Sequence, residues 1–336
     1  MNTVRVLACA LAGACLVAGG AVADEFDDGA FAMPREVVSA ATVFQTYMSN
    51  AARIGDGFSS GDGVERGLKA GASYQTAQLE EGMIAYGAIA ALQDDRFVDG
   101  VLAAAGHGDQ RTAFAEQLIE DPYVVTRVDG ASGAGERVAA ALAAEAEPVV
   151  SAGDKVKSAA YSVQHQAWSK ATVADAPARL AEVKSLSAVR DEPSEADNQA
   201  MMQALGDADP DLGSGAAPSR FTAIEAKALA LAAESVLGHA QGADRDRLTP
   251  LLSENDSAFC LKMAKLNLYQ CMAVAGPQYE DIFCLGQHAI HDTGQCVDQA
   301  ANGVGAAKLS TLSPRAGATP ASFTRLAAHR TLRIDP

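Results

Sequence analysis

The sequence predicts an all-α protein, a bundle-like set of helices ending in a C-terminal antiparallel helical hairpin stapled by two disulfides. Three observations predict this class. Hydrophobic residues make up 49% of the chain but aromatics only 5%, much of the apolar content being alanine. Such sequence favours helix over sheet, with close helix approach and little area buried per contact. Apolar positions recur at the three-to-four spacing of an amphipathic helix rather than in alternation. Two helical stretches separated only by Gly276-Pro277 carry Cys260, Cys271, Cys284 and Cys296.

The first residues hold one charge, Arg5, then an apolar run from Val6 to Ala18, then small residues ending Ala21-Val22-Ala23. This is the three-part layout of a secretory signal peptide over 1–23, with cleavage expected between Ala23 and Asp24. Asp24-Glu25 directly after the run argues against a membrane anchor, and Ala12 at the leucine place three before Cys15 argues against lipidation. No transmembrane segment is expected in the mature chain, since the stretch from Met83 to Leu92 is short and follows Glu80-Glu81. With 42 acidic against 26 basic residues the net charge is −16, becoming −17 when Arg5 leaves with the signal. A chain of that charge repels nucleic acid.

Residues 24–190 read as an N-terminal helical domain. Pro34 to Ala52 places Val37, Val38, Ala41, Phe44, Tyr47 and Met48 on one helical face. A Gly- and Asp-rich loop follows from Gly55 to Gly63. Helices are then predicted from about Ser73 to Gln93, from Asp94 with Phe97, Val98, Val101 and Leu102 inward, and from Asp109 to Glu120. Tyr123 to Val128 is a β-favouring run, and Gly130, Gly133 and Gly135 behind it give it some likeness to a phosphate-binding turn. The spacing is not G-x-G-x-x-G and no lysine follows, so the segment reads as a turn that starts a helix, with Glu136 near its positive end. Gly135 to Ala171 is helical, with Pro148 expected to kink or break it against the carbonyl of Ala144. Its second half sets Val156, Ala160, Val163 and Ala167 in one stripe, beside Tyr161, His165 and the sole tryptophan, Trp168. Trp168 reads as a packing anchor, the alternative being the wall of a small-ligand cleft. A shorter helix runs from Pro177 to Ala188.

Residues 191–219 hold seven acidic side chains, no Lys or Arg, and Pro193, Pro210 and Pro218. This is the expected acidic linker, with a short helix from Ser194 to Leu205. Asp207, Asp209 and Asp211 have the spacing of a calcium loop, but Leu212 takes the required glycine place and Pro218 the closing glutamate. Residues 220–303 form the expected C-terminal helical domain, opened by the capping box Thr222-x-x-Glu225 on a helix that Gly238 ends. From 304 to 336 the chain is basic, with Lys308, Arg315, Arg325, Arg330 and Arg333 against Asp335 alone. Its part from Ser313 to Pro336 is expected to dock on the acidic body or touch anionic envelope polymers.

Cys9 and Cys15 leave with the signal, so four cysteines remain, and three pairings are possible. Asp256 to Ala275 and Gln278 to about Ala300 are helical, and a turn as short as Gly276-Pro277 makes them antiparallel. Cys260 and Cys271 lie ~16 Å apart along one helix, too far to bond. The antiparallel arrangement then pairs Cys271 with Cys284 near the turn and Cys260 with Cys296 at the open end. One feature strains this pairing: Cys284 and Cys296 are twelve residues apart, about 120° out of phase on a straight helix. Gly294 is expected to break the second helix and let Cys296 swing back. The nested pairs resemble, in geometry and not in kinship, the twin-cysteine hairpins of small mitochondrial intermembrane-space proteins, whose spacing is tighter. Without a C-x-x-C pair, disulfides are favoured over zinc.

His288 and His291 stand on the second hairpin helix and are the candidate metal ligands, with Asp292 or Glu280 as a third. The competing reading is a polar hairpin interior, the imidazoles bonding Asn267 or backbone groups. There is no H-E-x-x-H, no G-x-S-x-G and no S-x-x-K. No catalytic residue and no cofactor is therefore assigned. The expected function is a non-catalytic, exported component of the periplasm or extracellular space, bound to an envelope component that the residues do not identify. The alternatives are an exported metal-dependent hydrolase using His288 and His291, or a small-ligand carrier.

Overall fold

Thr76–Ala91 and Ala223–Val236 are apolar on nearly every side, and a helix with no polar face has to be surrounded. These two helices, α3 and α9 in chain order, form the centre of the protein, buried from Leu79 to Ala91 with Glu81 as the one half-exposed break, and from Ile224 to Val236 with Lys227 likewise. The computed structural model describes residues 33–206, 221–239 and 245–303. Within them α1 is Arg35–Ala52, α2 Gly61–Ala72, α4 Asp95–Ala105, α5 Asp109–Glu120, α6 Ala131–Val163, α7 Ala176–Leu186 and α8 Glu195–Gly206. The C-terminal part adds α10 (Arg245–Leu248), α11 (Asn255–Val274), α12 (Gln278–Cys284) and α13 (Asp292–Asn302), with a π-helical segment, Leu285–His291, between the last two. Among the described residues there is no strand beyond the isolated bridge of Thr172 with Pro277, and no helix is long and apolar enough to cross a membrane.

Small residues set the spacing around α3. A Cβ on Gly82 would stand 2.3 Å from the carbonyl oxygen of Ala40 in α1, and one on Gly87 would meet Val138 of α6 and Ala228 of α9. Close approach is how an alanine-rich, aromatic-poor chain reaches interior packing density. Thr222 and Glu225 form the predicted capping box, and Gly238, at φ +74°, follows the end of α9.

Four expectations need correction. Gly61–Ala72 is helix, although its glycines read partly as loop: Ser60 caps it, and Gly67 and Gly71 admit the side chain of Leu285. Pro122–Arg127 is a 3-10 helix, not extended. Asp121 caps it, Pro122 starts it, and only Val125 is buried, so the alternating burial of a strand is missing. Pro148 leaves α6 unbroken over 33 residues. Pro148 and Ala144 lie on the solvent side, where water can take up the freed carbonyl, while Ala146, Val149 and Ala152 anchor both flanks. The stretch after Val163 turns rather than continuing to Ala171.

The elements on either side of 191–219 share one core rather than holding separate ones, α9 packing on α3 and α13 on α6. The first part of that acidic stretch, α8, lies against α1. Thr42 Oγ1 donates to Asn198 Oδ1 at 2.7 Å, and Met201 and Leu205 are buried. Asp207, Asp209, Asp211, the expected signal segment 1–23 and the basic tail 304–336 lie outside the described residues.

Burial also places charges in the core. Desolvation raises the Glu225 carboxyl to about 7, against the lowering effect of its bonds from Thr222. A carboxyl whose folded pKa is raised contributes stability below its unfolded pKa and loses it as pH climbs through the folded value. The Glu225→Gln variant keeps the bond to Thr222 without the charge. It should match the parent near pH 5 and exceed it by about 2 kcal/mol at pH 8 in denaturant titrations. Equal stability of the two chains at both pH values would refute the buried charge.

Candidate functional site

The two disulfides predicted from helix geometry are present, Cys260 with Cys296 and Cys271 with Cys284, at Cα separations of 5.7 and 5.6 Å. The 120° phase problem is solved by winding, not by a break at Gly294, which lies inside α13. In a π-helix the bonds run i→i+5, so each extra residue taken into a turn retards the following face by about 100°. Leu285–His291 does this between Cys284 and Cys296.

The same segment carries His288 and His291, and its neighbours explain its position. A Cβ on Gly286 would fall 2.4 Å from the amide nitrogen of Lys157, and one on Gly153 would fall 2.5 Å from that of His291, so this backbone lies directly on α6. Leu285, Ala289 and Ile290 are buried, while the polar residues reach the rim beside α6. Tyr47 Oη supports the segment from behind, 3.0 Å from the Ala289 carbonyl and 3.1 Å from that of Gly71.

At the rim the polar groups form a network centred on Asp292. His288 Nδ1 lies 2.8 Å from Asp292 Oδ2, and Gln287 Nε2 donates to Oδ1 at 2.8 Å. His291 Nδ1 lies 3.4 Å from that same Oδ1, and its Nε2 is 3.6 Å from Asp154 of α6. Lys157 closes the circuit, bonding Gln287 Oε1 at 3.0 Å and pairing with Asp154 at 3.2 Å. Burial acts to raise the Asp292 carboxyl, but the bonds from His288, His291 and Gln287 outweigh it and hold the group well below the usual carboxylate range. The His288 ring also meets Phe283 edge-on, and Phe283 meets Tyr161.

Both histidines and Asp292 are thus brought together, whereas Glu280 is not, its carboxylate accepting from the Gly276 amide. The imidazoles bond Asp292 and Gln287 instead of Asn267. Among the described residues no group of three or more His, Cys, Asp or Glu side chains is arranged to hold a metal ion. Trp168 is half-buried, its indole nitrogen bonded to Gln166. A cavity of about 530 Å³ opens elsewhere, between Tyr47, Arg53, Ile54 and Asp191.

Sequence reasoning missed Asp154, Lys157 and Gln287 as members of this network. A signal for them existed: Gly153 and Gly286 sit inside helices, where glycine is costly unless a backbone approaches closely. Also missed was Lys265, which is 5% exposed and has no carboxylate partner among the described residues. Its Nζ donates to the Ala72 carbonyl at 2.8 Å and stands 3.2 Å from the centre of the Tyr74 ring. Burial pushes this ammonium well below the usual lysine range.

These features define the class, an all-helical protein stapled by two disulfides in its C-terminal helical region. Compared with family models, curated proteins and solved structures, the chain finds no match.

Proposed function

We propose that the protein is exported and serves, without catalysis, as an interaction component of the cell envelope or extracellular space. The observation that carries this reading is on α11. Two disulfides hold that helix in place, yet Phe259, Met263, Leu266 and Val274 on its outer side are left in solvent. A fixed helix with an uncovered apolar row is what an interaction surface needs. The disulfides support an oxidising compartment, and the layout of residues 1–23 supports export through a cleaved signal. In the exporting cell the chain should be recovered outside the cytoplasm, beginning at Asp24 and without free thiols, and cross-linking there should join it to an envelope component. A chain retained in the cytoplasm with Cys260, Cys271, Cys284 and Cys296 unpaired would overturn the reading.

One observation favours a second reading, an exported metal-dependent hydrolase: His288 and His291 converge on one carboxylate, Asp292. Metal analysis separates the two. The expected result is purified protein without stoichiometric zinc. Stoichiometric zinc that disappears in a His288→Ala/His291→Ala variant would support the hydrolase instead.

A further inference from the structure

We infer that the outer face of α11 pairs with the same face of a second copy of this chain, antiparallel, about a two-fold axis near Leu266 and Asn267. The proposal rests on the interaction reading above: it takes the same face and makes the paired chain the form that meets the envelope component.

The exposed residues of α11 from Phe259 onward are Phe259, Lys262, Met263, Leu266, Gln270, Ala273 and Val274. The row formed by 259, 263, 266, 270 and 274 advances by three or four residues, the spacing of a helix-to-helix seam. Phe259 is 64% and Val274 81% exposed, too open for side chains packed on their own fold.

Two features point to a second copy as the occupant. A two-fold interface needs residue i to meet j while j meets i. The row is symmetric about the midpoint of 266 and 267: an antiparallel copy sets Phe259 against Val274, Met263 against Gln270, and Leu266 beside its own counterpart. The second feature is charge. The chain carries a net charge of −16, so most approaches of two copies bring like charges together. From Ser257 to Val274 the helix has no acidic residue, and Lys262 is the one charge on the exposed face. The helix is also held along one flank by both disulfides, so pairing requires little ordering of its backbone.

The test uses the oxidised chain from Asp24 to Pro336 in sedimentation velocity over a micromolar concentration series. The parent should sediment as a dimer, and Leu266→Glu should weaken association about 100-fold or more while its far-ultraviolet circular dichroism stays that of the parent. Register is read by mild oxidation of single-cysteine additions. Leu266→Cys should cross-link to its own copy, whereas Phe259→Cys, ~22 Å from its counterpart in this arrangement, should not unless mixed with Val274→Cys. A dimer indifferent to Leu266→Glu, or one in which Phe259→Cys cross-links to itself, overturns the pairing. So does a monomer that dimerises only when 304–336 is deleted, which would make the tail the occupant. A parent that is monomeric with or without the tail also overturns it, but leaves the interaction reading intact as long as the oxidised, exported chain still cross-links to an envelope component.

Discussion

Replacing Arg179 with methionine should cost about 3 to 5 kcal/mol at pH 8 and clearly less at pH 5. Arg179 of α7 and Asp281 of α12 form a buried ion pair, and Arg179 Nη2 also donates to the Met272 carbonyl at 3.0 Å. Asp281 Oδ1 has no hydrogen-bond partner among the described residues. Burial raises the Asp281 carboxyl to about 7, with the charge of Arg179 pulling the other way. Without the arginine the carboxyl rises further. At pH 8 the variant must then hold an unpaired buried charge or take up a proton against the solution, while at pH 5 the group is already neutral and that part of the penalty, about 1.4 kcal/mol, is gone. Urea titrations at the two pH values measure the difference. An Arg179→Met/Asp281→Leu double variant should recover most of the loss, because an apolar pair of similar volume replaces the ion pair. A loss equal at both pH values would show that Arg179 acts through packing instead.

The second large effect comes from the cysteines. Substituting alanine for both members of the inner bridge, Cys271 and Cys284, should cost about 3 kcal/mol, and for the outer bridge, Cys260 and Cys296, about 4 kcal/mol. The order follows from loop length: the bridges close sequence separations of 13 and 36 residues, and the longer loop restricts the unfolded chain more. Denaturant midpoints of the two double variants test this. If the inner bridge proved the more valuable, restriction of the unfolded chain would not be its main contribution.

Much of this fold was legible in the residues. Asp109 to Glu120 is a helix with the bounds its period indicates, and the Thr222 to Glu225 box opens α9 as its spacing requires. What escaped were elements whose local signals conflict with their surroundings. The glycines of α2 are unfavourable for helix by themselves, and only Leu285, far along the chain, gives them a packing role. The valines of 122–127 favour extended structure, but among the described residues no neighbouring strand is there to reward it. The site was half legible: His288, His291 and Asp292 are close in sequence, whereas Asp154 and Lys157 belong to α6 and meet them only across glycine contacts.

By itself the sequence determined the helical class and the disulfide connectivity, because helix pitch, a two-residue turn and the reach of a disulfide are local rules that leave one pairing possible. Only the tertiary structure decided how Cys284 and Cys296 come into phase and which side of the hairpin is covered. The π winding depends on Gly286 and Gly153 letting two backbones touch, and the uncovered row of α11 depends on where every other helix packs. Both are properties of contacts between distant residues, which no stretch of neighbouring residues encodes.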